Sequence, residues 1–148
     1  MTETFEIARK NMVINQLRPN RIKEENILTL FETVPKEKYL SNNLEKNCYL
    51  DKDLDLTPKR GYLKNLHLAQ LIKYSDINEN DTVLHIGGLT GYFSVLISAL
   101  CKELYVIEDD LKLFNMLKNN IANSKKTNIK IFNNKLLDGY PEVSSFDL

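Results

Sequence analysis

Three glycines lie close together in a chain that contains only five. Gly87, Gly88 and Gly91 fall within the segment VLHIGGLTGY, directly after a short apolar run. Where a strand passes into a helix, glycine permits positive φ angles and lets a ligand approach the backbone. The free N–H groups at the start of the helix then favour an anionic or polar ligand group. The segment therefore predicts a cofactor cradle.

A carboxylate stands at the spacing that such a cradle requires. Glu108 follows the apolar run ELYVI, at the distance of about 20 residues from the glycines at which an acidic side chain accepts hydrogen bonds from ribose hydroxyls. Together the two features favour an adenosine-containing ligand. Two alternatives remain open at this point: the glycines serve only the packing of a helix on a strand, and Glu108 is a solvated surface charge.

Strands and helices alternate around these residues. Apolar runs predict strands at TVLHI, ELYVIE and NIKIFN, and helical spacing predicts helices at FSVLISAL and DDLKLFNMLKNNIANS. This order is typical of βαβ units and a parallel sheet in an α/β domain. Upstream, helical spacing occurs in TFEIARKNMVINQL, KEENILTLFET and YLKNLHLAQLIKYS, and a long loop is predicted between Ser41 and Gly61.

Composition and charge narrow the class of protein. Twenty basic and twenty acidic residues give a net charge of zero, which argues against the broad positive field of a nucleic-acid-binding protein. No apolar run reaches the ~18 residues of a membrane span, and the N-terminus lacks the pattern of a signal peptide. Cys48, Cys101, His67 and His85 lack the spacing of a metal site. We expect a cytoplasmic protein without metal, membrane or nucleic-acid partners.

Five segments in order resemble the protein-L-isoaspartate O-methyltransferase family: ARKNMVINQLRPNRI, ILTLFETVPKEKYL, CYLDKDL, VLHIGGLTGY and DGYPEVSSFD. The resemblance runs from Ala8 to Asp147. It implies a Rossmann-like, S-adenosylmethionine-dependent methyltransferase fold with a helical N-terminal segment. It also implies an enzyme that methylates the carboxylate of L-isoaspartyl residues in damaged proteins, as a step of protein repair.

The resemblance also implies where each part of the site lies. Residues 1–80 would form the helical segment and a substrate-side loop, in which residues 57–65 meet the isoaspartyl peptide. Residues 81–148 would form the first part of the cofactor-binding domain. SSFDL resembles the start of a fourth strand, so we expect a C-terminally truncated member with an incomplete sheet. The cofactor S-adenosylmethionine would be held by Gly87, Gly88, Gly91, Tyr92, Glu108 and Asn134.

Several positions depart from the family pattern. The family's G-Q-T-I-S-Q-P stretch falls on residues 59–65, so its hydroxyl residue is replaced by Leu63, or by Lys64 if the alignment slips by one. No catalytic residue is therefore named. His85 replaces the acid before the first glycine, Leu89 replaces the middle glycine, and Asn134 replaces a carboxylate near the adenine. The leading interpretation is isoaspartyl methylation. The alternatives are a methyltransferase with another substrate and a non-catalytic binding or structural protein.

Overall fold

The computed structural model describes residues 2–148, with side chains from Thr4 onward, and the chain divides into two compact units. The first unit ends at Asp76 and the second spans Ile77–Leu148. The sequence predicted a division after residue 80. None of the helices within residues 2–148 is long and apolar enough to span a bilayer.

The first unit is mainly helical, as predicted. Helix α1 (Thr2–Met12) continues into a π-helical turn (Val13–Leu17) and a 3-10 turn (Arg18–Asn20), and α2 (Glu25–Thr33) and α3 (Asn65–Ser75) follow. Further 3-10 turns span Lys36–Tyr39 and Glu45–Asn47. The apolar face of each helix is buried, because side chains at helical spacing form one stripe. Its core includes Met12, Leu17, Leu28, Phe31 and Ile72.

A small hairpin occupies part of the stretch predicted as a long loop, so that prediction was wrong over these residues. Strand β1 (Leu54–Thr57) pairs antiparallel with β2 (Arg60–Tyr62). The pairing depends on Gly61, since a Cβ at this position would lie 2.2 Å from the Leu54 carbonyl oxygen. Strands this short carry almost no alternation in the sequence, and a close backbone approach of this kind is a property of the paired state.

The second unit is built on a parallel sheet, which confirms the predicted α/β class. Strands β3 (Thr82–Ile86), β4 (Glu103–Ile107) and β5 (Ile129–Phe132) lie in that order, all parallel. Helices α4 (Tyr92–Ser98) and α5 (Leu111–Ser124) are the two crossovers. Because both connections run in the same direction with the same hand, both helices lie on one face.

The end of the chain lies along the free edge of β3. Asp147 N–H donates to Thr82 O and Leu84 N–H donates to Leu148 O, each at 2.9 Å. The segment SSFDL, predicted to begin a strand, makes these two bonds without a regular ladder. Its place beside the first strand of the sheet is that of a fourth strand in the Rossmann order 3-2-1-4. Tyr140 and Phe146 cover the sheet's other face, with the Tyr140 ring 4.1 Å from that of Phe132.

Candidate functional site

The glycine segment forms the turn between β3 and α4. Positive φ angles occur at Gly87 (86°), Leu89 (53°) and Gly91 (98°). The N–H groups of Gly87 and Gly88 both donate to Ile107 O, at 2.8 and 3.0 Å, which fixes the turn to the end of β4. Because a side chain disfavours the left-handed region, Leu89 is the strained position of the turn.

Gly88 and Gly91 lie where packing and backbone conformation favour glycine, whether or not a ligand binds. A Cβ at Gly88 would lie 2.4 Å from Val106 Cγ1, and one at Gly91 would lie 3.1 Å from Leu117 Cδ1. The packing alternative left open by the sequence therefore accounts for these two glycines. It does not account for Glu108, which lies at the end of the neighbouring strand.

Glu108 is completely buried, with 0% of its surface exposed, so the interpretation of this residue as a solvated charge is wrong. Its Oε2 accepts a hydrogen bond from Leu89 N–H at 2.8 Å, and its Oε1 accepts one from Asp110 N–H at 3.0 Å. The carboxylate thus joins the glycine turn to the start of α5.

The predicted cofactor residues lie near the carboxyl ends of the parallel strands. Gly87, Glu108 and Asn134 each follow the carboxyl end of a parallel strand, and these ends meet at the same edge, where ligands of open α/β sheets bind. Asn134 is half-buried beside Asn133, whose Nδ2 donates to Glu108 O at 2.8 Å. Tyr92 differs from the others, because it is completely buried as the first residue of α4.

His85 occupies the position of the family's acid without supplying its charge. Nδ1 lies 2.9 Å from Ser94 Oγ, and the ring meets Phe93 edge-on at 5.5 Å. Burial lowers the pKa of His85 to about 4, so the imidazole is neutral at physiological pH. Within residues 2–148 no group of three His, Cys, Asp or Glu side chains could hold a metal ion.

The predicted substrate segment, residues 57–65, lies in the first unit and includes β2 and the turn of the hairpin. Leu63 is 43% exposed and offers no hydroxyl. Lys64 is half-buried, with its Nζ 3.3 Å from Asp51 Oδ1 and its N–H donating to Asp53 Oδ1 at 2.8 Å. Neither residue therefore replaces the family's serine in kind.

A buried lysine next to this segment was missed by the sequence reasoning. Lys36 is 1% exposed, and its Nζ donates to Asn65 Oδ1 at 2.7 Å. No signal in KEKY distinguishes it from its exposed neighbour Lys38, because lysine is usually exposed and its burial depends on tertiary contacts.

An open cavity of about 480 Å³ in the first unit holds none of the predicted site residues. Its walls include Phe5, Ala8 and Met12 from the helical segment, with Tyr49 and Leu50 opposite. The groups that suit a nucleoside cofactor are instead those at the sheet edge of the second unit.

Comparison with known proteins confirms the resemblance. The model of the protein-L-isoaspartate(D-aspartate) O-methyltransferase family matches residues 8–148. A protein-L-isoaspartate O-methyltransferase of Koribacter versatilis is 25% identical over 144 residues, covering 97% of this chain and 65% of the relative. One from Parvibaculum lavamentivorans is 28% identical over 138 residues, covering 91% of this chain and 61% of the relative. The chain thus spans less than two thirds of the length of these relatives.

Two solved structures share the fold of this chain. A protein-L-isoaspartate O-methyltransferase aligns with a TM-score of 0.79 at 20% identity, covering 94% of this chain and 46% of that one. A putative protein-L-isoaspartate O-methyltransferase from Plasmodium falciparum, solved in complex with S-adenosyl-L-homocysteine, aligns with a TM-score of 0.70 at 17% identity, covering 85% of this chain and 62% of that one. With the family model matching almost the whole chain, this protein belongs to the protein-L-isoaspartate(D-aspartate) O-methyltransferase family.

Proposed function

We propose that the protein is an S-adenosylmethionine-dependent methyltransferase that acts on the carboxylate of L-isoaspartyl residues in damaged proteins. The main support for the proposal is the contact between Glu108 and the glycine turn. The buried carboxylate accepts a hydrogen bond from the Leu89 N–H at 2.8 Å, near the carboxyl ends of the parallel strands. Family membership and the S-adenosyl-L-homocysteine complex of a structural relative support the same reading.

The residues at the sheet edge fit the chemistry of the cofactor. Glu108 supplies acceptors for ribose hydroxyls, Asn134 supplies an amide that pairs with a base edge, and the turn at Gly87 supplies backbone groups without a Cβ. Because the Glu108 side chain is fully buried, a ribose reaches it only after the turn around Leu89 moves. Cofactor binding is therefore expected to include a local rearrangement of this turn.

The proposed reaction needs no proton transfer to or from the protein. When bound, the cofactor supplies a methyl group on a positively charged sulfur, and a carboxylate accepts it without any proton transfer. An isoaspartyl carboxyl group has an ordinary pKa of ~4 and is ionised at neutral pH, so no general base is needed. The protein must instead hold the peptide and exclude water. Leu63, which is exposed and apolar, and Lys64, which is cationic, suit this binding role.

The alternative is a non-catalytic protein that keeps the fold for partner contacts. Two observations keep it open to test: Glu108 already holds the glycine turn of the second unit, and in the first unit Leu63 stands where the family has a hydroxyl residue. Family membership favours methylation.

Calorimetric titration of S-adenosylhomocysteine tests the cofactor site. The wild-type chain is compared with Glu108→Gln and with the control Glu103→Gln, at the other end of β4, whose carboxylate pairs with the half-exposed Lys130. Loss of charged hydrogen bonds at Glu108 is expected to weaken binding about tenfold, and the control should bind as the wild type does. A folded wild-type protein that does not bind would overturn the proposal. Binding would be followed by methylation assays on an isoaspartyl peptide and on its aspartyl isomer, and only the first should be methylated.

A further inference from the structure

A buried ammonium group organises the polar interior of the first unit. Lys36 lies in the 3-10 turn Lys36–Tyr39, and its Nζ donates to Asn65 Oδ1 at 2.7 Å. The same ammonium lies 5.3 Å from the ring centre of Tyr62, within the range of a cation–π interaction. Lysine is almost never fully buried unless it is paired, and the partners of Lys36 include an amide and an aromatic ring.

The partners of Lys36 are themselves fixed by hydrogen bonds. Asn65 Nδ2 donates to Cys48 O at 3.0 Å, and the Lys36 N–H donates to the Tyr49 hydroxyl at 2.9 Å. The Tyr49 hydroxyl in turn donates to Glu37, which forms an ion pair with Arg9 at 2.9 Å. The Lys36 backbone is therefore held by Tyr49 and, through Glu37, by Arg9. Its ammonium in turn contacts Tyr62 and Asn65.

Tyr62 and Asn65 flank Leu63 and Lys64, the two residues that align with the family's substrate-contacting position. One ammonium thus contacts the residue before this pair and the residue after it. With both flanking residues anchored, the backbone of Leu63 and Lys64 has few alternative conformations. The side chain of Leu63 nevertheless remains exposed.

We propose that Lys36 is a positioning residue for substrate binding: its buried ammonium holds Tyr62 and Asn65 and thereby fixes Leu63 and Lys64 for contact with the isoaspartyl peptide. The proposal rests on the function proposed above for residues 57–65. Burying a charge is costly, and an apolar side chain of similar length would fill the space at less cost. The contribution of Lys36 is therefore to hold Asn65 through a hydrogen bond and Tyr62 through a cation–π contact, which an apolar side chain could not do.

The charge state of Lys36 makes the proposal testable by pH. Burial lowers the pKa of Lys36 to about 8, and the negative charge of Asp53 opposes this shift. Burial raises the pKa of the Cys48 thiol to about 12, so that group stays neutral over the same range. Above about pH 8 the ammonium is lost, and with it the charged contacts to Tyr62 and Asn65.

The experiment measures methylation of an isoaspartyl peptide from about pH 6.5 to about pH 9.5 by the wild type, Lys36→Met, Lys36→Arg and Lys38→Met. Lys36→Met should raise KM for the peptide about tenfold, as expected for one lost charged hydrogen bond, without changing the affinity for S-adenosylhomocysteine. The wild-type KM should rise above about pH 8. In Lys36→Arg, KM should stay low at high pH, because a guanidinium remains charged. Lys38→Met, at an exposed lysine of the same turn, should behave as the wild type does.

Amide hydrogen exchange over residues 60–65 provides a readout that does not need catalysis. Exchange should be faster in Lys36→Met than in the wild type and unchanged in Lys38→Met. A Lys36→Met variant with wild-type KM and wild-type exchange overturns the proposal, as does a wild-type KM that is independent of pH. If Lys36→Met does not fold, the pH dependence of KM in the wild type and in Lys36→Arg tests the proposal instead, and equal profiles overturn it.

The two proposals fail in different ways. A folded wild-type protein that neither binds nor methylates the peptide overturns the proposed function. In that case faster exchange in Lys36→Met still supports the positioning of residues 62–65, and unchanged exchange overturns it.

Discussion

The free energy of unfolding should depend on pH through Lys36. The amine has a pKa of about 8 in the folded chain and an ordinary value of 10.5 when solvated, so the unfolded state binds more protons between these values. Stability therefore rises with pH through this window. At about 1.4 kcal/mol per pKa unit, Lys36 should add about 2 kcal/mol of stability between about pH 7 and about pH 9.5.

Two buried thiols act in the opposite direction. Burial raises the pKa of Cys48 from 9.0 to about 12 and that of Cys101 to about 11. Their thiols stay neutral in the folded chain but ionise in the unfolded chain above about pH 9, so they lower stability as pH rises. The free energy of unfolding of the wild type thus rises with pH through Lys36 and falls with pH through the two thiols. The difference between the wild type and Lys36→Met isolates the lysine, because the thiols are common to both proteins.

Urea unfolding followed by circular dichroism measures this difference. The free energy of unfolding of the wild type relative to Lys36→Met should increase by about 2 kcal/mol from about pH 7 to about pH 9.5. The Lys38→Met control should follow the wild type at every pH. A difference between the wild type and Lys36→Met that is constant with pH would refute the reasoning, since it would mean that Lys36 titrates in the folded chain as it does in water.

Two further predictions concern the second unit. Leu89→Gly should tighten the binding of S-adenosylhomocysteine in calorimetry, because glycine adopts the φ of 53° without strain and removes a side chain from the turn; equal or weaker binding would show that the leucine is accommodated. His85 has its pKa lowered to about 4, so the unfolded state binds the extra proton and stability falls as pH drops below about 6.5. The wild type should therefore lose about 2 kcal/mol between about pH 7 and about pH 4.5 relative to His85→Gln, in urea unfolding, and parallel curves would contradict the burial of a neutral imidazole.

The second unit was predictable because its signals are local. Each strand of the parallel sheet is a largely apolar run of four or five residues, and β3 and β4 are each followed by a helix. The apolar run ELYVIE placed Glu108 correctly at the end of β4. Its hydrogen bond to Leu89 N–H was not predictable, because it depends on how the turn lies against the strand end.

The missed features of the first unit depend on contacts between distant residues. The hairpin rests on the close approach of Gly61 to Leu54, which strands of three and four residues do not reveal in their sequence. The burial of Lys36 depends on Asn65, which is 29 residues away along the chain. A single sequence shows the type of a residue, and its partners appear only when the chain is folded.

Glu108 and Lys36 fix local structure in the two units in the same physical manner. Each is a buried charge that holds a short segment of a proposed site, the glycine turn in one case and residues 62–65 in the other. A methyl transfer to an ionised carboxylate needs placement more than it needs an acid or a base. For such a reaction, the replacement of a hydroxyl residue by Leu63 removes no acid or base that the methyl transfer requires. The divergence of this chain at Leu63 is therefore compatible with methyl transfer, provided that Glu108 and Lys36 keep their contacts.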